Sequence, residues 1–238
     1  MNRISPTVKQ LLIINVIFYF GSSFSLNTEF IYSLFSLHFP ENPEFKFWQL
    51  LTHMFMHGGI LHLAFNMFAL WMFGKTLENI WGPKRFLIYY FVTAFGAALI
   101  HILVTQLKIS NLMLEMNMSD INTVIENGAN ILQNRQNYIN SSMSKLNLLI
   151  NIPTVGASGA VFGVLLAFGL LFPNTLLYIY FAFPIKAKYF IIIYAIIELY
   201  LAILNNPNDN VAHFAHLGGM IFGYILLKYW QKNKTRFY

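Results

Sequence analysis

The sequence contains no cysteine and very little charge: Asp, Glu, Lys and Arg together make up 10% of its 238 residues. The missing cysteine excludes disulfides, thiol nucleophiles and thiolate metal sites. Soluble proteins carry about a quarter charged residues, so an ordinary soluble domain is excluded too. Disorder requires low hydrophobicity and high charge, whereas 57% of this chain is hydrophobic and 17% aromatic. Mean hydropathy is +0.54. No internal repeat is visible.

What is present is a series of apolar runs. A helix needs roughly 20 apolar residues to cross the hydrocarbon core. Six candidates are found, at about 11–26, 60–77, 86–104, 155–172, 189–204 and 211–230. The first is interrupted by Asn15 and by Gly21-Ser22-Ser23. It ends without a small-residue cleavage site, so it is expected to stay as a helix and not leave as a signal peptide. The fourth stops at Pro173, since proline cannot continue a helix. The apolar stretch 176–185, bracketed by Pro173 and Pro184, is expected in a connection near the interface. The expected architecture is an all-α polytopic membrane protein, a six-transmembrane-helix bundle forming a single domain over residues 1–238.

The charges orient this layout. Six spans put both termini on one side, and that side receives 11 of the 15 basic residues, among them Lys75, Lys84, Arg85, Lys186 and Lys188. The other side holds Lys46, Lys108, Arg135 and Lys145, with seven of the nine acidic residues. Basic residues near span ends stay cytoplasmic, so both termini are expected in the cytoplasm. The net charge of +6 is then a topology signal, and a nucleic-acid partner loses its support. Two extramembrane loops are long. Residues 27–59 are rich in aromatics, including Phe45, Phe47 and Trp48, which suit the membrane interface. Residues 105–154 are Asn-rich, and the helical spacing of Ile121, Val124 and Ile125, then Ile131 and Leu132, predicts short surface helices or flexibility. Asn-x-Ser matches at Asn117 and Asn140 arise readily by chance in such a segment.

Polar groups inside spans are costly without a partner or a purpose. His213 and His216 share one face of the sixth span, and His62 and Asn66 share one face of the second. The fourth opens with Gly156-Ala157-Ser158-Gly159-Ala160. A serine hydroxyl becomes nucleophilic when a base takes its proton, and neutral imidazole is suited to that task. Span arithmetic makes His216 the best-placed base for Ser158. Gly159-x-x-x-Gly163 and Gly219-x-x-x-Gly223 are small-residue faces that let membrane helices approach closely. The Ser158 backbone N–H, the His62 imidazole and the Asn66 amide are candidate oxyanion donors. Taken singly, each feature has a plain alternative: Gly-x-Ser-Gly as packing, an intramembrane histidine as an interhelical hydrogen bond, His-x-x-x-Asn as helix–helix contact. Their joint occurrence on separate spans at compatible depth points to a hydrolase. Glu198 stands alone in the fifth span, either paired with a polar group or facing a wet cleft, and receives no catalytic role. His53, His57, His62, His213 and His216 also make a histidine-rich outer half. With no His-Glu-x-x-His, no cysteine and no Asp near them inside a span, no metal is expected. His53 and His57 are expected at the membrane surface.

These residues resemble the rhomboid intramembrane serine proteases over about residues 47–223. The resemblance is carried by Gly156-Ala157-Ser158-Gly159, by Ala215-His216-Leu217-Gly218-Gly219 and by His62-Leu63-Ala64-Phe65-Asn66. The run from Phe47 to His57, and Glu78-x-x-Trp81-Gly82-x-x-Arg85-Phe86, add to it. The resemblance implies a Ser158–His216 dyad, an oxyanion site from His62, Asn66 and the Ser158 amide, supporting residues Gly156, Gly159, Phe162 and Gly219, and no cofactor. Phe162 would pack by the catalytic histidine, and Glu78 would tie its region structurally. The implied partners are the lipid bilayer and membrane-protein substrates with a transmembrane helix, cut in or near that helix. The composition and compactness hint at a bacterial inner membrane. Two departures stand out: Gln49 follows Trp48 where members often have Arg, and the loop before Ser158 is long. The rival readings are a non-catalytic rhomboid-like protein that binds membrane helices, and a transporter, which predicts internal symmetry that the chain lacks.

Overall fold

The computed structural model describes residues 5–179, 182–204 and 211–232. Arg3, Lys234, Arg236 and Asp209, which enter the charge count, lie outside the described residues. Helix α1, Pro6–Ser23, opens the chain, with proline in its first turn, where the missing N–H costs nothing. Its Ser5 cap makes no side-chain bond. Instead Glu78 reaches across from a distant helix and accepts from the Thr7 and Val8 N–H groups at 2.9 and 2.8 Å. A carboxylate at a helix N-terminus satisfies unpaired donors and complements the helix dipole.

Residues 27–59 are well folded. They contain α2, Thr28–Phe35, α3, Gln49–Thr52, and a 3₁₀ turn at His53–Phe55. Gln49 is fully buried and acts as their tie. Its amide donates to the Ser33 and Glu44 carbonyls at 2.8 and 2.9 Å, and its carbonyl accepts from the N–H of Lys46 at 3.1 Å. Trp48 and Thr52 donate to the Leu34 and Phe35 carbonyls, both at 2.8 Å.

α4, Ile60–Ala69, passes through a π turn at Leu70–Gly74 into α5, Lys75–Trp81, making one 22-residue apolar helix. Gly82, with φ of 78°, breaks it before α6, Pro83–Leu114. α6 runs ten residues beyond the span end at 104 that hydropathy predicts. The polar residues after Val104 include no Gly or Pro, so nothing stops the helix. α7, Met118–Gln133, and α8, Ser141–Asn151, follow. Asn117 and Asn140, the asparagines of the two Asn-x-Ser matches, are their N-caps: Asn117 accepts from the Asp120 N–H at 2.8 Å and Asn140 from the Ser142 N–H at 2.9 Å. Ile121, Val124 and Leu146 close over Phe39 and Ile109 in a small second core.

α9, Ser158–Leu171, is the short apolar helix of the molecule, and ten of its 14 residues are buried. The segment before Ser158 is non-helical, so the expected span at 155–172 begins three residues late. The stretch 176–185 is part of an antiparallel hairpin, β1, Leu176–Ile179, with β2, Phe183–Lys186, in the register Leu176↔Lys186 to Ile179↔Phe183. Pro184 is tolerated because both strands of a two-stranded ribbon are edges. α10, Ala187–Leu204, and α11, His213–Lys232, complete the bundle.

The long helix at 60–81, α6 and α10 are each long and apolar enough to cross a membrane. α10 exposes Ile192, Ile196 and Ile203, a surface suited to lipid and not to water. α6, α9 and α11 pack most closely. The glycines explain how. Gly219 of α11 lies directly on the Gly159 backbone of α9, where any Cβ would strike the carbonyl. The other members of the two small-residue faces do different work: Gly163 receives Thr93 of α6, and Gly223 receives Tyr89. The small-residue faces thus seat α6 as well as each other.

Candidate active site

Ser158 is the first residue of α9. Its approach is fixed from three sides. Thr154 exchanges backbone hydrogen bonds with Leu37 at 2.8 and 2.9 Å, and its hydroxyl lies 2.8 Å from His101 Nε2 on α6. The Gly156 N–H donates to the His53 carbonyl at 2.9 Å. Gly156 itself has φ of 125°, a region L residues rarely adopt. A Cβ there would also come within 2.8 Å of His62 Nε2 and 3.7 Å of Ser158 Oγ. The His62 imidazole and the Ser158 hydroxyl therefore lie on the same side of Gly156, within reach of one small group.

His216 lies in the first turn of α11. Its Nε2 is 2.9 Å from Ser158 Oγ. The Phe162 ring, one turn along α9, stacks on the imidazole with centroids 4.2 Å apart and planes 7° apart. Ser158 is partly exposed, while His216 is buried with its Nε2 edge against the hydroxyl. Asn66, on the same helix face as His62, is buried, and its Nδ2 finds no partner among the described residues. A buried amide donor left unpaired is costly. The backbone N–H groups in the first turn of α9 have no intrahelical acceptor. This arrangement can take a proton from Ser158 and donate to an oxyanion formed beside it.

The structure corrects the sequence reading at several histidines. His53 and His57, expected at the membrane surface, are buried within the protein, where the His53 carbonyl accepts from the Gly156 N–H and the His57 carbonyl from the Tyr32 hydroxyl. The rings of His57 and His62 meet edge to face at 5.0 Å. Burial pushes both His53 and His57 down to about 4, so they are neutral near pH 7. A carboxylate also does stand near the histidines: Glu198 Oε2 lies 2.7 Å from His213 Nδ1 and 2.8 Å from His216 Nδ1. Of the two environments expected for Glu198, pairing with polar groups inside the bundle is the one found. The signal available in the sequence was the His213-x-x-His216 face together with one acid in a neighbouring span.

These three residues have donor types that also suit a metal. A tetrahedral ion with bonds of about 2.0–2.1 Å sets its ligand atoms about 3.3 Å apart. The spacings of 2.7 and 2.8 Å are those of charge-assisted hydrogen bonds instead.

Comparison with known proteins agrees with this geometry. The family model for the Rhomboid domain matches residues 44–232, most of the chain. The chain belongs to the rhomboid family. Related rhomboid proteins include RHOMBOID-like protein 6, mitochondrial, of Arabidopsis thaliana, 40% identical over 63 residues, 26% of this chain and 20% of that protein. Rhomboid protease GluP of Bacillus subtilis is 49% identical over 45 residues, 19% of this chain and 9% of that protein. Rhomboid protein 1, mitochondrial, of Saccharomyces cerevisiae is 26% identical over 186 residues, 76% of this chain and 42% of that protein. The matched segments thus span well under half of each of these rhomboid relatives. Membership and the apolar helices make this an integral membrane protein of a family that includes proteases. Two of these relatives are named as mitochondrial, so the expected bacterial inner membrane is not supported.

Proposed function

We propose that this rhomboid protein is an intramembrane serine endopeptidase that hydrolyses peptide bonds in or near transmembrane segments of membrane-protein substrates. The observation that carries the proposal is the 2.9 Å contact between Ser158 Oγ and His216 Nε2. Ser158 is the nucleophile and His216 the general base. The Ser158 N–H, the Asn66 amide and the His62 imidazole receive the oxyanion, while Gly156, Gly159, Gly219 and Phe162 hold the parts together. The bundle is a single membrane domain of six spans: α1, the 60–81 helix, α6, α9, α10 and α11. The bias of basic residues supports cytoplasmic termini. α9, at about 21 Å, is shorter than the roughly 30 Å hydrocarbon core, so its ends do not reach both interfaces, which supports a nucleophile lying below the surface. Substrate helices must unwind there, since an intact helix keeps its carbonyls engaged.

A non-catalytic helix-binding protein is the second reading. It requires no serine–histidine contact, and that contact is present. The deciding experiment is cleavage of a model transmembrane substrate by purified protein in detergent. Ser158→Ala is expected to abolish cleavage at unchanged helicity. Cleavage that survives the substitution, or that chelators stop, contradicts the proposal.

A further inference from the structure

Among the described residues, Glu198 is the carboxylate that meets the site histidines. It sits on α10, whereas both histidines it meets are on α11 and the serine is on α9. Its Oε2 lies 2.8 Å from Nδ1 of His216 and 2.7 Å from Nδ1 of His213. The opposite nitrogen of His216 faces Ser158 Oγ. All three groups are buried, at 6%, 7% and 8% exposure for Glu198, His213 and His216. An ionised carboxylate only accepts hydrogen bonds, so each Nδ1 must donate. A neutral imidazole has a single N–H. With that proton on Nδ1, Nε2 of His216 presents its lone pair to the serine hydroxyl. A general base needs this tautomer, and the other one offers Ser158 a donor in place of an acceptor.

We propose that Glu198 is a positioning residue for the peptide hydrolysis inferred above, on which this inference rests. Its carboxylate holds His216 in the Nδ1–H tautomer, aimed at Ser158, and stabilises the imidazolium that forms during attack. His213 donates to the same oxygen and fixes the carboxylate in place. Phe162 restrains the face of the His216 ring, and Glu198 and Ser158 restrain its two edges. In the attack, Ser158 Oγ bonds to the scissile carbonyl carbon and the carbonyl π electrons move onto its oxygen. The Oγ proton passes to His216 Nε2. As the C–N bond breaks, that proton goes to the leaving amine. Glu198 takes no proton in either step.

The test uses the full chain in detergent with a model transmembrane substrate, comparing wild type with Glu198→Gln, Glu198→Asp and Glu198→Ala. Gln keeps one oxygen acceptor, removes the charge and replaces the other oxygen with an NH2 donor. Glu198→Gln is expected to lower kcat roughly tenfold or more at unchanged KM. The other titratable groups around His216 are His213, His62 on α4 and His101 on α6, and none of them changes in these variants. Glu198→Ala costs more, and Glu198→Asp restores part of kcat. A second readout needs no substrate: histidine ¹⁵N shifts place the wild-type His216 proton on Nδ1, and Glu198→Ala moves population to Nε2–H. Wild-type kcat in Glu198→Gln overturns the positioning role, as does an unchanged His216 tautomer in Glu198→Ala. Cleavage by Ser158→Ala in the same assay overturns the protease reading instead, and leaves the ¹⁵N measurement to judge Glu198 by itself.

Discussion

Gln49 sits where rhomboid members often carry Arg, a position that the sequence marks as a departure. In the structure its uncharged amide spans the 27–59 segment, bonding backbone groups of Ser33, Glu44 and Lys46. An amide both donates and accepts, so it meets carbonyls and an N–H at once without burying a charge. Next to it, His53 accepts burial as a neutral ring whose Nδ1 faces the Gln49 carbonyl at 2.8 Å. Its depression to about 4 has a consequence for stability. The unfolded chain protonates this histidine near pH 6.5 and the folded chain does not, so stability is full above about pH 6.5 and falls as pH drops toward 4. The slope is at most about 1.4 kcal/mol per pH unit for one histidine, and His57 adds to it in the same direction. Thermal unfolding in detergent is expected to show a lower midpoint at pH 5 than at pH 7.5, with the difference reduced in His53→Gln. An equal midpoint at both values contradicts the buried, neutral assignment. Ser158 and His216 were legible as residues because short motifs surround each. Glu198 stood out as an acid inside a span, but its pairing with His213 and His216 did not, because they are 15 and 18 residues away on another helix and no local spacing reports such a contact.

At the scale of elements, α1 owes its N-terminus to Glu78, 70 and 71 residues away in sequence. Two hydrogen bonds from N–H groups to one carboxylate make Glu78 a cap supplied in trans from α5. Glu78→Ala is expected to cost about 1–2 kcal/mol, read as a lower midpoint of thermal unfolding, and to loosen α1 in hydrogen exchange more than α9 or α11. Equal protection of α1 in both proteins contradicts the cap. The long apolar helices were readable from hydropathy, since each is one continuous run. The hairpin was not, because 176–185 is equally apolar along its length and gives neither a helical nor an alternating period. Helices α7 and α8 were only half visible. The spacing of Ile121, Val124 and Ile125 showed in α7, no such spacing marked α8, and the asparagines that cap both resembled chance motifs until their backbone partners were known.

The whole molecule is a helix bundle in which four helices from different parts of the chain converge on one small site: His62 on α4, Ser158 on α9, Glu198 on α10 and His216 on α11. α6, α9 and α11 approach closely enough for this because glycine stands where their backbones and side chains would collide. The sequence contains those glycines but does not say which helix each one faces: Gly159 and Gly219 make the α9–α11 contact that the paired motifs suggest, while Ala97, Thr93 and Tyr89 of α6 fill the space against Gly159, Gly163 and Gly223. The account depends on a hydroxyl activated by one imidazole inside this apolar frame. The most direct measurement is covalent labelling of the purified protein with a fluorophosphonate, followed by mass spectrometry of its peptides. The account predicts a single phosphonylated residue, Ser158, and loss of that label in His216→Ala. Labelling at another residue, or equal labelling of Ser158 in His216→Ala, contradicts it.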